Sequence, residues 1–168
     1  LISRTAPPVI AKKALGQIKK CPVSFGTARA IKLLGKIKCV EAIPAICTLF
    51  DFECSDSVYE ACTALLVQMG TDFVEYVISG FSGFSDIQKT HFLLVLQDIP
   101  REETVDLFLH HWHELWRCDK RTFVEALECI AARQFIAPLR QELVPEEIGE
   151  DRAYYLLCKI HGHEDVIL

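Results

Sequence analysis

The chain has 168 residues, 51% of them apolar and 24% charged, which suffices for the core of one ordinary domain and excludes a disordered chain. Its 18 basic and 23 acidic residues leave a formal net charge of −5, which argues against a nucleic-acid partner, because neutralising phosphates takes a surplus of Lys and Arg. No apolar run approaches the roughly 20 residues of a membrane span, and Leu1-Ile2-Ser3-Arg4-Thr5-Ala6-Pro7-Pro8 does not read as a secretory signal, so no membrane partner is expected.

In chain order, apolar periodicity predicts helices over 8–19, 25–38, 40–51, 57–69, 72–81, 86–98, 101–116, 120–133, 135–144 and 150–161. No stretch alternates with period two for long enough to make a strand. Breakers fall between these helices: Lys38-Cys39, Met69-Gly70, Ile99-Pro100 and Gly162-His163 inside pairs, and Asp51 to Asp56, Ser82 to Ser85, Cys118-Asp119-Lys120 and Pro145 to Asp151 between pairs. Ser55 or Asp56, Ser85 and Asp119 stand where an N-cap is needed. The chain thus opens on the second helix of one pair, runs through four complete pairs, and closes inside a fifth, where Glu164-Asp165-Val166-Ile167-Leu168 begins another helix. With no starting Met, it reads as an excised part of a longer chain, with further repeats or domains expected at both ends.

Sliding the sequence on itself by 31 residues aligns four apolar columns. Leu34, Leu65, Leu96 and Leu127 form one. Ile43, Val74, Val105 and Ile136, continued by Ile167, form another. Ile46, Val77, Phe108 and Leu139 form a third, and Ala30, Ala61, Phe92, Phe123 and Tyr154 a fourth. Inside the unit, Ala30, Leu33, Leu34 and Ile37 follow the spacing of one buried helix face. An ordinary bundle has helical periodicity but no fixed super-period. The fold class is therefore all-α, an α-α superhelix of about five helix pairs over residues 1–168, read as a single repeat domain.

Ala30-Ile31-Lys32-Leu33-Leu34-Gly35-Lys36-Ile37, followed by Val40-Glu41-Ala42-Ile43-Pro44-Ala45-Ile46, resembles the short HEAT repeat of the phycobilisome-lyase-like class. That class reads Ala-x-x-Ala-Leu-Gly-x-Ile-Gly and then Glu-Ala-Val-Pro-x-Leu. The unit at 61–78 is similar in keeping Ala61, Ala64, Leu65, Met69 and Gly70, whereas the later units keep the apolar columns and little else. The resemblance implies a right-handed, armadillo-like solenoid with first helices on its convex face and second helices lining the concave one. It implies little about function, since fold does not fix function.

Eight cysteines, at positions 21, 39, 47, 54, 62, 118, 129 and 158, include no CxxC pair, and several fall on apolar helix positions. They read as reduced, buried thiols of a cytoplasmic protein, with a few disulfides of a secreted chain as the alternative. His110-His111-Trp112-His113-Glu114 is the densest group of potential metal ligands, and His110, His113 and Glu114 would share a face of one continuous helix. Without an HExxH pattern the plainer reading is a helix end with exposed histidines, and no metal or cofactor is expected. His161-Gly162-His163-Glu164 reads as a turn. Deoxyhypusine hydroxylase-like HEAT proteins carry His-Glu pairs at the start of first helices; the matching positions here are Arg29-Ala30, Glu60-Ala61, His91-Phe92 and Thr122-Phe123, none of them such a pair. No catalytic residue is identified, and no Ser-His-Asp, Cys-His or phosphate-loop motif is present.

The 31-residue register also places Glu41, Asp72 and Glu103 in one second-helix column, and Glu75 and Asp106 in another. Tyr76 and Leu107 share a third, and His110 falls in a fourth. Acids in a first helical turn complement the helix dipole without any further role. The functional reading is a concave face that takes a basic peptide or helix, with Tyr76 and Leu107 as apolar anchors. The expected function is a non-enzymatic protein-interaction scaffold; the alternative is an enzyme or enzyme accessory of the lyase-like HEAT group.

Overall fold

A computed structural model describes residues 7–22, 24–143 and 151–162. The described residues are helices joined by short turns, with no strand among them. The chain divides into two compact units, Leu1–His91 and Phe92–Leu168. The helix expected to begin at 164 lies outside the described residues, as do most of those expected to form the turn at 145–151.

The first unit opens with α1 (Pro7–Lys20) and α2 (Phe25–Lys36). Prolines are tolerated in the first turn of α1, where the missing N–H has no intrahelical acceptor, and Lys19 and Lys20 complement the dipole at its end. Ser24 caps α2 by accepting from the Thr27 N–H at 3.3 Å. The buried stripe of α2 is Thr27, Ala28, Ala30, Ile31, Leu34 and Gly35, while Leu33, expected inside, is 40% exposed. The stripe is wide because α2 is packed by α1 and by α4 (Asp56–Met69). A Cβ on Gly35 would meet Gln68 Oε1 at 3.1 Å and the Leu65 side chain at 3.9 Å, so a larger residue here would displace the end of the Gln68 side chain by a few tenths of an ångström.

The helix expected over 40–51 is broken into a 3-10 turn at Val40–Ala42, the short α3 (Ile43–Cys47) and a second 3-10 turn at Thr48–Asp51. Pro44 supplies no N–H to a ladder entering from the preceding turn, and the Thr48 hydroxyl donates to the Ala45 carbonyl at 2.9 Å in competition with the backbone. α4 passes into α5 (Thr71–Gly80), which a 3-10 turn extends to Gly83, and the chain direction changes by 100° between them. Gly70 alone makes that change, with φ 55 and ψ −113. Its N–H is shared between the Leu66 and Val67 carbonyls, and its own carbonyl accepts from Val74, so one residue ends one helix and starts the next.

The helix α6 (Asp86–Leu96) carries the boundary between the units. Ser85 and Gln88 form a reciprocal capping box at its start: each side chain accepts from the other residue's backbone N–H at 3.1 Å. Gln88 Nε2 also donates to the Cys47 carbonyl at 3.2 Å, which satisfies a buried amide.

The second unit continues with α7 (Glu102–His110), α8 (Trp112–Cys118), α9 (Lys120–Ile130), a 3-10 turn at Arg133–Phe135, α10 (Ile136–Glu142) and α11 (Arg152–Ile160). The single helix expected over 101–116 is interrupted at His111, which leaves the α region with φ −106 and ψ 22. The break lets Trp112 turn inward against Phe123 at 5.0 Å and Phe135 at 6.3 Å, completing an aromatic core with Phe108. Asp119 caps α9 through the Thr122 N–H at 3.1 Å, and Asp151 caps α11 through the Tyr154 N–H at 2.8 Å. The Thr122 N–H and hydroxyl hold the Asp119 carboxyl below the usual carboxylate range. α9 ends at a left-handed Ala131, short of the expected 133, and α11 packs on α9 and α10.

Every described member of the four apolar columns is buried, from Ala30, Leu34, Ile43 and Ile46 through to Leu127, Ile136, Leu139 and Tyr154. The column seam in the first unit generates one stability prediction. Leu65→Asp, which places an unpaired charge where α4 meets α2, lowers stability by about 3 kcal/mol or more, read as a shift in the denaturant midpoint; an unshifted midpoint would disprove the packing at this seam. A second concerns the reversal at residue 70. Gly70→Ala forces a Cβ into a backbone conformation that L-residues avoid and costs about 1–3 kcal/mol in the same measurement.

Candidate functional site

In the first unit Glu41 lies in the 3-10 turn after α2, exposed, and accepts from the Cys39 thiol at 3.4 Å. Its own backbone N–H and that thiol hold its carboxyl below the ordinary range. Asp72 and Glu75 stand exposed on the first turns of α5 and form no ion pair among the described residues. Tyr76 is half-buried, its ring 5.5 Å from Phe84 and tilted by 46°. Burial, and then the nearby Cys47, push its phenol up.

In the second unit Glu103 and Asp106 are likewise exposed on α7 and form no ion pair among the described residues, and His110 is exposed at its end, edge-on to His111 at 4.7 Å. Leu107 differs from the expectation. It is only 3% exposed, because α7 buries Thr104, Val105, Leu107 and Phe108 together, a wider face than the matching one on α5. It is a core residue and offers no anchor at the surface.

The break at His111 also redistributes the histidines. His113 Nδ1 lies 2.9 Å from Glu142 on α10, and His111 Nδ1 lies 3.4 Å from Glu114, so His110, His113 and Glu114 do not converge. Among the described residues no group of three or more His, Cys, Asp or Glu side chains is placed to hold a metal ion. A small hollow of about 180 Å³ is lined by Leu109, His110, Trp112, His113, Pro138, Gln141 and Glu142, and the buried Trp112 indole N–H has no acceptor among the described residues. His91 lies against both Phe50 at 4.8 Å and Tyr59 at 5.2 Å, rings that are themselves 6.2 Å apart, and burial lowers its pKa. At the end of α11 the His161 ring nitrogen Nε2 lies 2.8 Å from the Ala131 carbonyl, and Gly162 turns the chain with φ 67.

One feature was missed by the repeat-based reading. Nine of the 18 basic residues precede position 41, and all 23 acidic residues lie from Glu41 onward. Net charge conceals this partition; counting charge along the chain reveals it. The basic segment contains a cleft of about 660 Å³ between α1 and the turn after α2. Pro8, Ala11, Lys12, Leu15, Gly16 and Lys19 supply one wall, at the spacing of a single helix face, and Ile37, Lys38, Cys39 and Glu41 supply the other. Lys12, Lys19 and Lys38 are exposed and carry no ion pair among the described residues. Gly16 sits in the interior of α1, where glycine costs about 1 kcal/mol relative to alanine, yet a Cβ there would meet nothing within 4 Å. Lys38 adopts φ 50, a left-handed conformation in which glycine would be unstrained.

Comparisons with protein-family models, with characterised proteins and with solved structures return no match. No single helix among the described residues is long and apolar enough to cross a membrane.

All eight cysteines are free thiols, and their environments differ. Burial, reinforced by Cys62, pushes the Cys47 thiol far above its ordinary value, and burial, reinforced by Cys54, pushes Cys62 up to about 12. Cys21 and Cys129 are exposed. Treatment of the native protein with a water-soluble thiol reagent near pH 8 should label Cys21 and Cys129 first, and Cys47 and Cys62 only on unfolding. Peptide mapping by mass spectrometry reads the order; early labelling of Cys62 would contradict the packing of α4.

Proposed function

We propose that the chain is a non-enzymatic protein-interaction scaffold built of HEAT-like helix pairs, whose second helices present acidic side chains to a basic peptide or helix. The repeat reading draws support from the four buried columns and from N-caps at Ser24, Ser85, Asp119 and Asp151, each at the start of a first helix. The observation that carries the binding reading is the state of the acids. Asp72 and Glu75 on α5, and Glu103 and Asp106 on α7, are exposed and form no ion pair among the described residues. Those residues use the four charges only as partners of two helix dipoles. Tyr76, half-buried on α5 in the first unit, is the remaining apolar anchor.

Exposed charges act mainly on encounter, so the basic partner would associate faster at low salt, and truncating Tyr76 would mainly speed its release. The test compares proteins captured from lysate by wild type and by the Glu75→Lys/Asp106→Lys variant, quantified by mass spectrometry. The expected result is loss of a set of basic proteins by about tenfold or more. Identical captured sets would mean that the acids serve the dipoles and solubility alone.

A further inference from the structure

The basic cleft of the first unit plays no part in binding through the acidic second helices. Its floor is aliphatic, made by Ala11, Leu15 and Ile37, and its rim carries the unpaired ammonium groups of Lys12, Lys19 and Lys38. The one acid present, Glu41, is already engaged by the Cys39 thiol and offsets only one of the three positive charges. Two residues around this cleft break the local rules of helix design in opposite directions. Gly16 occupies a helix interior where a Cβ would meet nothing and most residues would stabilise the helix. Lys38 occupies a left-handed position where a side chain is a liability. Neither choice helps the chain fold, and both shape the same cleft: one keeps its floor open and the other sets a charge on its rim. Such violations mark function when they converge on one place.

We propose that this cleft docks an acidic amphipathic peptide segment of a partner protein. Its aliphatic side chains seat around Gly16 on Ala11, Leu15 and Ile37, and its carboxylates pair with Lys12, Lys19 and Lys38. The volume suits a few aliphatic side chains, and desolvated apolar anchors ringed by charge are the usual anatomy of a peptide groove. No aromatic ring lines the cleft, so it lacks the stacking platform that single-stranded nucleic acid uses. A bilayer surface would be met by projecting side chains rather than by a hollow.

The experiment selects peptides from a random displayed library on the immobilised chain and measures the enriched sequences, synthesised and labelled, by fluorescence anisotropy. The expected sequences combine Asp or Glu with Leu, Ile or Val. Gly16→Leu fills the cleft and should weaken their binding about tenfold or more while holding or raising the melting temperature. Lys38→Gly should likewise raise the melting temperature and weaken binding, and Lys12→Glu/Lys19→Glu should abolish it at low salt. This opposition of stability and affinity is the signature that a merely structural role would not produce. Enriched peptides without acidic character, or with equal affinity for Gly16→Leu, would overturn the proposal. So would tighter binding of phosphatidylserine vesicles or of an oligonucleotide of about 20 nucleotides. A wild-type dimer that Gly16→Leu dissolves in sedimentation would assign the cleft to a second copy instead.

Discussion

The apolar seam between α2 and α4 is the contact on which the first unit depends. Leu34 and Ala30 of α2 and Ala61 and Leu65 of α4 are removed from water together across it, with Gly35 set against the Gln68 side chain. A helix pair with one apolar stripe cannot bury it alone, so each helix in the first unit relies on the next for its exclusion of solvent. The second unit meets the same requirement with rings: Phe108, Trp112, Phe123 and Phe135 fill volume that aliphatic residues fill between α2 and α4. Both solutions place polar termini at the ends of short helices, where Ser24, Asp119 and Asp151 satisfy the free N–H groups locally.

Much of this was legible in the sequence because it rests on periodicity. The columns through Leu34, Ile43, Ile46 and Ala30 are buried throughout the described residues, and Gly70 reverses the chain where a breaker was expected. Departures arose where a tertiary demand overrode local helix propensity. Trp112 enters the core only if the helix yields at His111, and no pattern in His110-His111-Trp112-His113 announces that yielding. Leu107 and Leu33 went astray for a related reason: a 31-residue register fixes which positions correspond, but how wide a face is buried depends on how many neighbours the helix has.

The surface was less legible, since a charge on a helix is compatible with many roles. Asp72, Glu75, Glu103 and Asp106 are exposed acids, and exposure alone does not separate a dipole partner from a binding group. The basic cleft escaped a reading that looked for repetition, because Gly16 and Lys38 are individual exceptions to it. Their meaning emerges only when backbone angles and empty space are known: a φ of 50 at a lysine and an unobstructed Cβ position at a glycine.

The junction at Gly70 has a mechanical corollary. With a single residue between α4 and α5, the two helices have almost no slack in the chain, and the angle between them is set by the φ and ψ of Gly70. The direction in which the acids of α5 face, relative to the side of α4 that holds Leu65 against α2, therefore depends on two torsions of one residue.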